Sequence, residues 1–156
     1  ELSWVDWDIT GARADLLDSF RLFVRLRKQH SVFHNRNYRW GDPTDSGGPR
    51  DLAWFTPAGR ELRDEDWQDV SSRTLGMYIN RSTLNGDYES EHSYFMILHS
   101  SHEAIDFLLP DQHWAKQWKV VVDTTQPGSN PLEAYYQPKA KLKVFAHSLL
   151  VLQEVE

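Results

Sequence analysis

The chain has 156 residues, 40% of them hydrophobic and 26% charged, which is one domain's worth and excludes a disordered polyelectrolyte. Its formal net charge is -6, and no basic run is longer than Arg25-Leu26-Arg27-Lys28, so a nucleic-acid backbone is disfavoured as a partner. The absence of cysteine excludes disulfides, thiolate zinc sites and a cysteine nucleophile, and no apolar run reaches the ~20 residues of a membrane span.

The predicted elements, in chain order, begin with a helix. Leu16, Leu17, Phe20, Phe23, Val24 and Leu26 recur at helical spacing, while Arg13, Arg21, Arg25 and Lys28 take the wet side. Thr10, or Asp8 before it, is the predicted cap, so one amphipathic helix covers roughly residues 11–30. Val32 to Trp40 reads as a strand running into a Gly41-Asp42-Pro43 turn. Asp51 to Thr56 and Thr74 to Asn80 are the next strands. Between them the acidic stretch Glu61 to Asp69 reads as an irregular, solvated loop with Trp67 as its large apolar anchor. Asn85-Gly86 has hairpin-turn composition. Ser93 to His99 is apolar on both alternating faces, as in a central strand. Ile105, Phe107 and Leu109, then Trp118, Val120 and Val122, then Leu142 and Val144 each mark an inward face, and Ser148 to Glu154 closes the series. The predicted fold is mainly β: an antiparallel β-sandwich preceded by one long amphipathic α-helix.

No catalytic constellation stands out. Glycosidic hydrolysis needs two facing carboxyl groups, and Asp64-Glu65-Asp66 sits in polar sequence with nothing to bury it. His30 and His34 have metal-ligand spacing only if the helix runs through both, and Val32-Phe33 put its end between them. His99 and His102 flank a turn and read as satisfied or exposed. His147-Ser148 lacks an oxyanion turn, and Asn80-Arg81-Ser82 has meaning only in a secreted chain. The expectation is therefore no catalytic residue and no metal ligand. The seven tryptophans are the unusual feature, with core packing as the ordinary account and sugar stacking as the alternative.

The opening Glu1-Leu2-Ser3-Trp4-Val5-Asp6-Trp7 resembles a segment of isoamylase-type enzymes of the α-amylase superfamily, more narrowly the bacterial glycogen-debranching enzymes. Similar segments follow in order: Leu26-Arg27-Lys28-Gln29-His30 with Val32-Phe33, Asp51-Leu52-Ala53-Trp54-Phe55, Asp64-Glu65-Asp66-Trp67, Arg73-Thr74-Leu75-Gly76-Met77 and Ser148-Leu149-Leu150-Val151-Leu152. Together they cover essentially the whole chain. Ser31 stands where relatives often have Pro, and Gln68-Asp69-Val70-Ser71 replaces a usual Asn-Asp-Pro. The resemblance implies a (β/α)8 catalytic barrel followed by a β-sandwich. Residues 1–34 would be the barrel's last helix with its leading loop, and residues 35–156 the carboxy-terminal domain. It also implies hydrolysis, by the whole enzyme, of α-1,6 branch linkages in glycogen or branched maltooligosaccharide, with retention and no organic cofactor. The family's catalytic carboxylates belong to earlier barrel strands, so none is carried over. The loop before the last barrel helix lies on the catalytic face, which puts Trp4, Asp6 and Trp7 at the rim of the substrate cleft.

The chain lacks an initiator Met and a signal-peptide pattern, which fits a start inside a larger cytoplasmic gene product. Its expected partner is then its own upstream barrel. That reading predicts an exposed apolar patch along Leu16, Phe20, Phe23 and Val24 unless the helix folds back onto the sandwich. Two alternatives stand beside it. One is a carbohydrate-binding module stacking sugars on Trp40, Trp54, Trp114 or Trp118. The other is a protein-interaction sandwich unrelated to sugar.

Overall fold

The computed structural model describes residues 7, 9–34, 38–44, 47–81 and 92–155. The helical spacing produces α1 (Ala12–Gln29). Its amino-terminal cap is Gly11, at φ 53°, and no side chain caps it. The Thr10 carbonyl instead accepts from Arg13 N at 3.3 Å. The predicted Thr10 cap is thus not formed, because Gly11 takes a positive φ that a β-branched residue resists and supplies the turn by backbone alone; Asp8 lies outside the described residues. At the other end His30 turns extended and donates its N–H to Leu26 O at 2.9 Å. Arg27 Nη1 closes the terminus on Phe33 O at 2.6 Å, a cation at the negative end of the helix.

Of the predicted strand from Val32 to Trp40, none of the described residues is in a strand, and residues 35–37 lie outside the described residues. Ser31–Phe33 is a 3-10 turn that drops Val32 into a hydrophobic cluster, and residues 38–40 have no sheet pairing. The strands proper are β1 (Leu52–Phe55), β2 (Thr74–Ile79), β3 (Tyr94–His99), β4 (Ile105–Leu108), β5 (Gln117–Asp123), β6 (Tyr135–Tyr136), β7 (Lys141–Val144) and β8 (Ser148–Val155). Six pair antiparallel in the order β1-β2-β3-β8-β5-β6, and β4 with β7 forms a second, two-stranded sheet. β3, apolar on both faces, is interior to the large sheet, paired on both edges, with its inner face in the main core and its Tyr94 end covered on the outer face.

Alternation sorts each strand's side chains onto two layers. The inner row Ala53, Tyr78, Phe95, Leu152 and Val120 runs across five strands in register. With Phe55, Phe107, Trp114, Trp118 and Val144 it forms the main core between the sheets. The rings meet edge-to-face: Phe55–Trp114 and Tyr78–Trp114 centroids are each 4.9 Å apart, the offset geometry that aromatic quadrupoles favour. Gly76 lets them close, since a Cβ there would lie 2.8 Å from both Phe95 Cζ and Phe107 Cζ. Alternation fails at one place. A bulge between Val120 and Val122 turns Val122 away from the main core and into the second cluster.

That second cluster lies on the outer face of the large sheet. Tyr94, Val122 and Val151 are buried there with Val32, against Leu22 and Leu26 of α1. Ser19 Oγ accepts from buried Ser129 Oγ at 2.7 Å, pinning the middle of the helix to the loop after β5. α1 therefore does fold back onto the sandwich. It does so with one edge of its apolar arc only. At about 100° per residue, Leu22, Ser19 and Leu26 share one sector. Phe23, Leu16, Phe20 and Val24 lie roughly 70–170° further round from its centre. Leu16 remains 71% and Phe20 64% exposed. No helix among the described residues is long and apolar enough to cross a membrane.

Candidate functional site

Of the three residues placed at a cleft rim, Trp4 and Asp6 lie outside the described residues; Trp7 is 79% exposed ahead of α1. A groove of about 830 Å³ lies elsewhere, on the uncovered end of the sheet's outer face. Leu75, Leu98 and Leu149, neighbours in one cross-strand row, line it along with Trp67, Arg73 and His147.

Its polar groups are already engaged. The acidic stretch is not the irregular loop its composition suggests, because Asp64–Trp67 forms a short helix, α2. Asp66 accepts from Arg63 N at 2.8 Å and takes a bidentate pair from Arg60 at 2.6 and 2.7 Å. The Arg60 hydrogen bond, then the Arg63 backbone N–H, holds the Asp66 carboxyl down to about 2. A general acid needs the opposite shift. Asp69 is likewise lowered by its bonds to the Ser71 hydroxyl and N–H.

Histidine chemistry fares no better. His99 is buried, with Nδ1 2.7 Å from Thr74 Oγ1 and Nε2 2.7 Å from Glu103 O. A carbonyl only accepts, so Nε2 carries the proton and Nδ1 accepts from the Thr74 hydroxyl. Both ring nitrogens are thereby spent on structure. Ser148 Oγ donates to Phe145 O at 2.6 Å and not to His147, which sits in a turn at φ 49°. His30 packs on Tyr94 at 5.4 Å, and the helix ends before it. Among the described residues no group of three or more His, Cys, Asp or Glu could hold a metal. Asn80 is buried, with Nδ2 donating to Pro49 O and Arg50 O at 3.0 and 3.2 Å, so it is no glycan acceptor.

The aromatic residues divide sharply. Trp114 and Trp118 are buried in the main core and offer nothing to a sugar. Trp54 is half-buried, packed edge-on against Trp67 at 5.7 Å. Trp40 is 71% exposed and meets Tyr38, 72% exposed, at 4.5 Å between centroids and 61° between planes. Tyr38 was not legible as its companion, because the pairing depends on a tertiary anchor. Asp51, fully buried, accepts from Trp40 N at 3.1 Å and Gly41 N at 2.8 Å. Arg39 Nη1 donates to Asp51 O at 2.9 Å. Burial lowers the Arg39 pKa, and the Asp51 charge works against that shift.

Asp66, Asp69, His99 and Ser148 thus spend their polar atoms on bonds within the fold. The chain matches the family model for the isoamylase C-terminal domain over residues 51–152. It is 33% identical over 160 residues to the "Glycogen operon protein GlgX homolog" of Mycobacterium tuberculosis (strain H37Rv), covering 99% of this chain and 22% of that protein. It is 23% identical over 129 residues to an isoamylase of Flavobacterium sp., covering 83% of this chain and 16% of the relative. Among solved structures, a pullulanase of Anoxybacillus sp. LM18-11 complexed with maltotetraose superposes with a TM-score of 0.60 at 14% identity, over 97% of this chain and 17% of that one. The chain therefore spans about a fifth of the length of the curated relatives it matches most extensively.

Proposed function

Because the chain belongs to the isoamylase C-terminal family, we propose that it is the non-catalytic carboxy-terminal part of a debranching hydrolase. The whole enzyme would cleave α-1,6 branch linkages in cytoplasmic glycogen or limit dextrin. Residues 1–34 would belong to the end of its (β/α)8 barrel and residues 35–156 to the sandwich, with Trp4, Asp6 and Trp7 at the cleft rim. One observation carries the accessory role. α1 holds an apolar arc too wide for its own contact with the sheet, and Leu16 and Phe20 face water on the surplus part. A helix apolar over so much of its circumference is built to be covered on more than one side. The upstream barrel is the proposed cover.

The test is hydrolysis of phosphorylase limit dextrin. The polypeptide carrying the upstream domain is expected to release linear maltooligosaccharides, and the 156-residue chain alone to release none. Release by the chain alone would overturn the accessory role. An intact polypeptide inert on α-1,6 linkages would overturn the debranching reading.

A further inference from the structure

We propose that Tyr38 and Trp40 form a platform that binds an α-1,4-glucan chain. The choice of glucan over other sugars rests in part on the debranching reading above. Exposure alternates along the segment, with the side chains of residues 38 and 40 outward and that of residue 39 half-buried between them. Arg39 accordingly turns inward to Asp51 O at 2.9 Å, while both flanking rings stand more than two-thirds in water. The segment is held on three counts. Asp51 takes the Trp40 and Gly41 N–H groups, Arg50 Nη1 donates to Gly41 O at 2.6 Å, and Asn80 ties down the Pro49 and Arg50 carbonyls. A carboxylate is thus buried to fix the backbone directly beneath two exposed aromatic rings. Exposed apolar surface kept in place by such an anchor is a preorganised recognition surface.

The ligand class follows from shape and rim. A pyranose ring offers an apolar C–H face to an aromatic ring and hydroxyls around its edge. Residues 38–44 carry an exposed Asp42 and no aliphatic branched side chain, and Arg50, donating to Gly41 O, stands beside them paired to Glu61 at 3.1 Å. That setting suits a sugar better than an aliphatic protein surface. The planes of the two rings are inclined at 61°. Consecutive residues of an α-1,4-glucan curve around a helix and present faces at an angle, whereas a β-1,4 chain is a flat ribbon that calls for coplanar rings.

The experiment is affinity electrophoresis of the 156-residue chain through gels containing glycogen, with maltoheptaose and cellohexaose titrated calorimetrically. Retardation by glycogen and maltoheptaose binding at about millimolar strength are expected. Trp40→Ala should weaken binding about tenfold and Tyr38→Ala should weaken it as well, both with unchanged melting temperature because the rings are exposed. Phe20→Ser, an exposed aromatic elsewhere, should bind as the parent does. Absence of binding, equal affinity for cellohexaose, or undiminished binding by both ring variants would overturn the proposal. Any of these results alongside normal limit-dextrin cleavage by the intact polypeptide would leave the debranching reading standing alone.

Discussion

Replacing Asp51 with Ala tests the anchor on which the segment 38–51 depends. The side chain is fully buried and accepts two backbone N–H groups at 2.8 and 3.1 Å. Removing it leaves both donors without the carboxylate and a guanidinium beside a neutral cavity. Hydrogen bonds to a charged acceptor contribute roughly 1.5–3 kcal/mol each, and the second loss in one network adds less than the first. A cost of about 3 kcal/mol follows, which for a chain of this size corresponds to about 9 °C in melting temperature. Calorimetry of the chain and of Asp51→Ala at neutral pH reads it directly. Asp51→Asn keeps one acceptor oxygen but turns its amide toward the other N–H, so it should fall between the two. A loss below about 1 kcal/mol in Asp51→Ala would mean that the segment is held by something else, and the platform would lose its foundation.

Gly76→Ala should cost about 1–3 kcal/mol in urea unfolding, because its Cβ would meet Phe95 and Phe107 at 2.8 Å; no change in the midpoint would refute the close packing. Asp66, held down to about 2 mainly by Arg60, has a folded pKa below its unfolded one. Its contribution is therefore present above about pH 4 and lost as pH falls toward 2. Melting temperatures of Asp66→Asn should consequently decline less than the parent's across that window, and parallel curves would contradict the assignment. Leu26→Ala, which opens the contact between α1 and the sheet, should destabilise the isolated chain by about 1–2 kcal/mol, whereas Phe20→Ser should change it by less than about 0.5 kcal/mol.

Elements whose cause is local were legible in the sequence. The helix showed in the spacing of Leu16 to Leu26, β3 in a run apolar on both faces, and β4 and β7 in their alternation. What was missed depends on contacts made at a distance. Val120 and Val122 share a parity, yet the bulge sends them to different clusters, and no residue between them announces it. The stretch 32–40 has strand composition, but its described residues pair with no strand, since Val32 is drawn under α1 and Arg39 toward Asp51. The stretch 61–69 looked unstructured because the Arg60–Asp66 pair and the Arg63 bond are set by geometry and not by apolar period. For the site, the wealth of tryptophan could be read from composition. The identity of the exposed rings could not: four tryptophans looked equivalent as platforms, and burial removed Trp114 and Trp118.

The outward arc of α1 as the seat of an upstream domain is the central claim, and hydroxyl-radical footprinting with mass spectrometry tests it most directly. Leu16, Phe20 and Phe23 should be oxidised readily in the 156-residue chain and protected severalfold in the polypeptide that carries the upstream domain. Tyr38 and Trp40, the proposed glucan platform, should label equally in both. Equal labelling of Leu16, Phe20 and Phe23 in the two polypeptides would contradict the account.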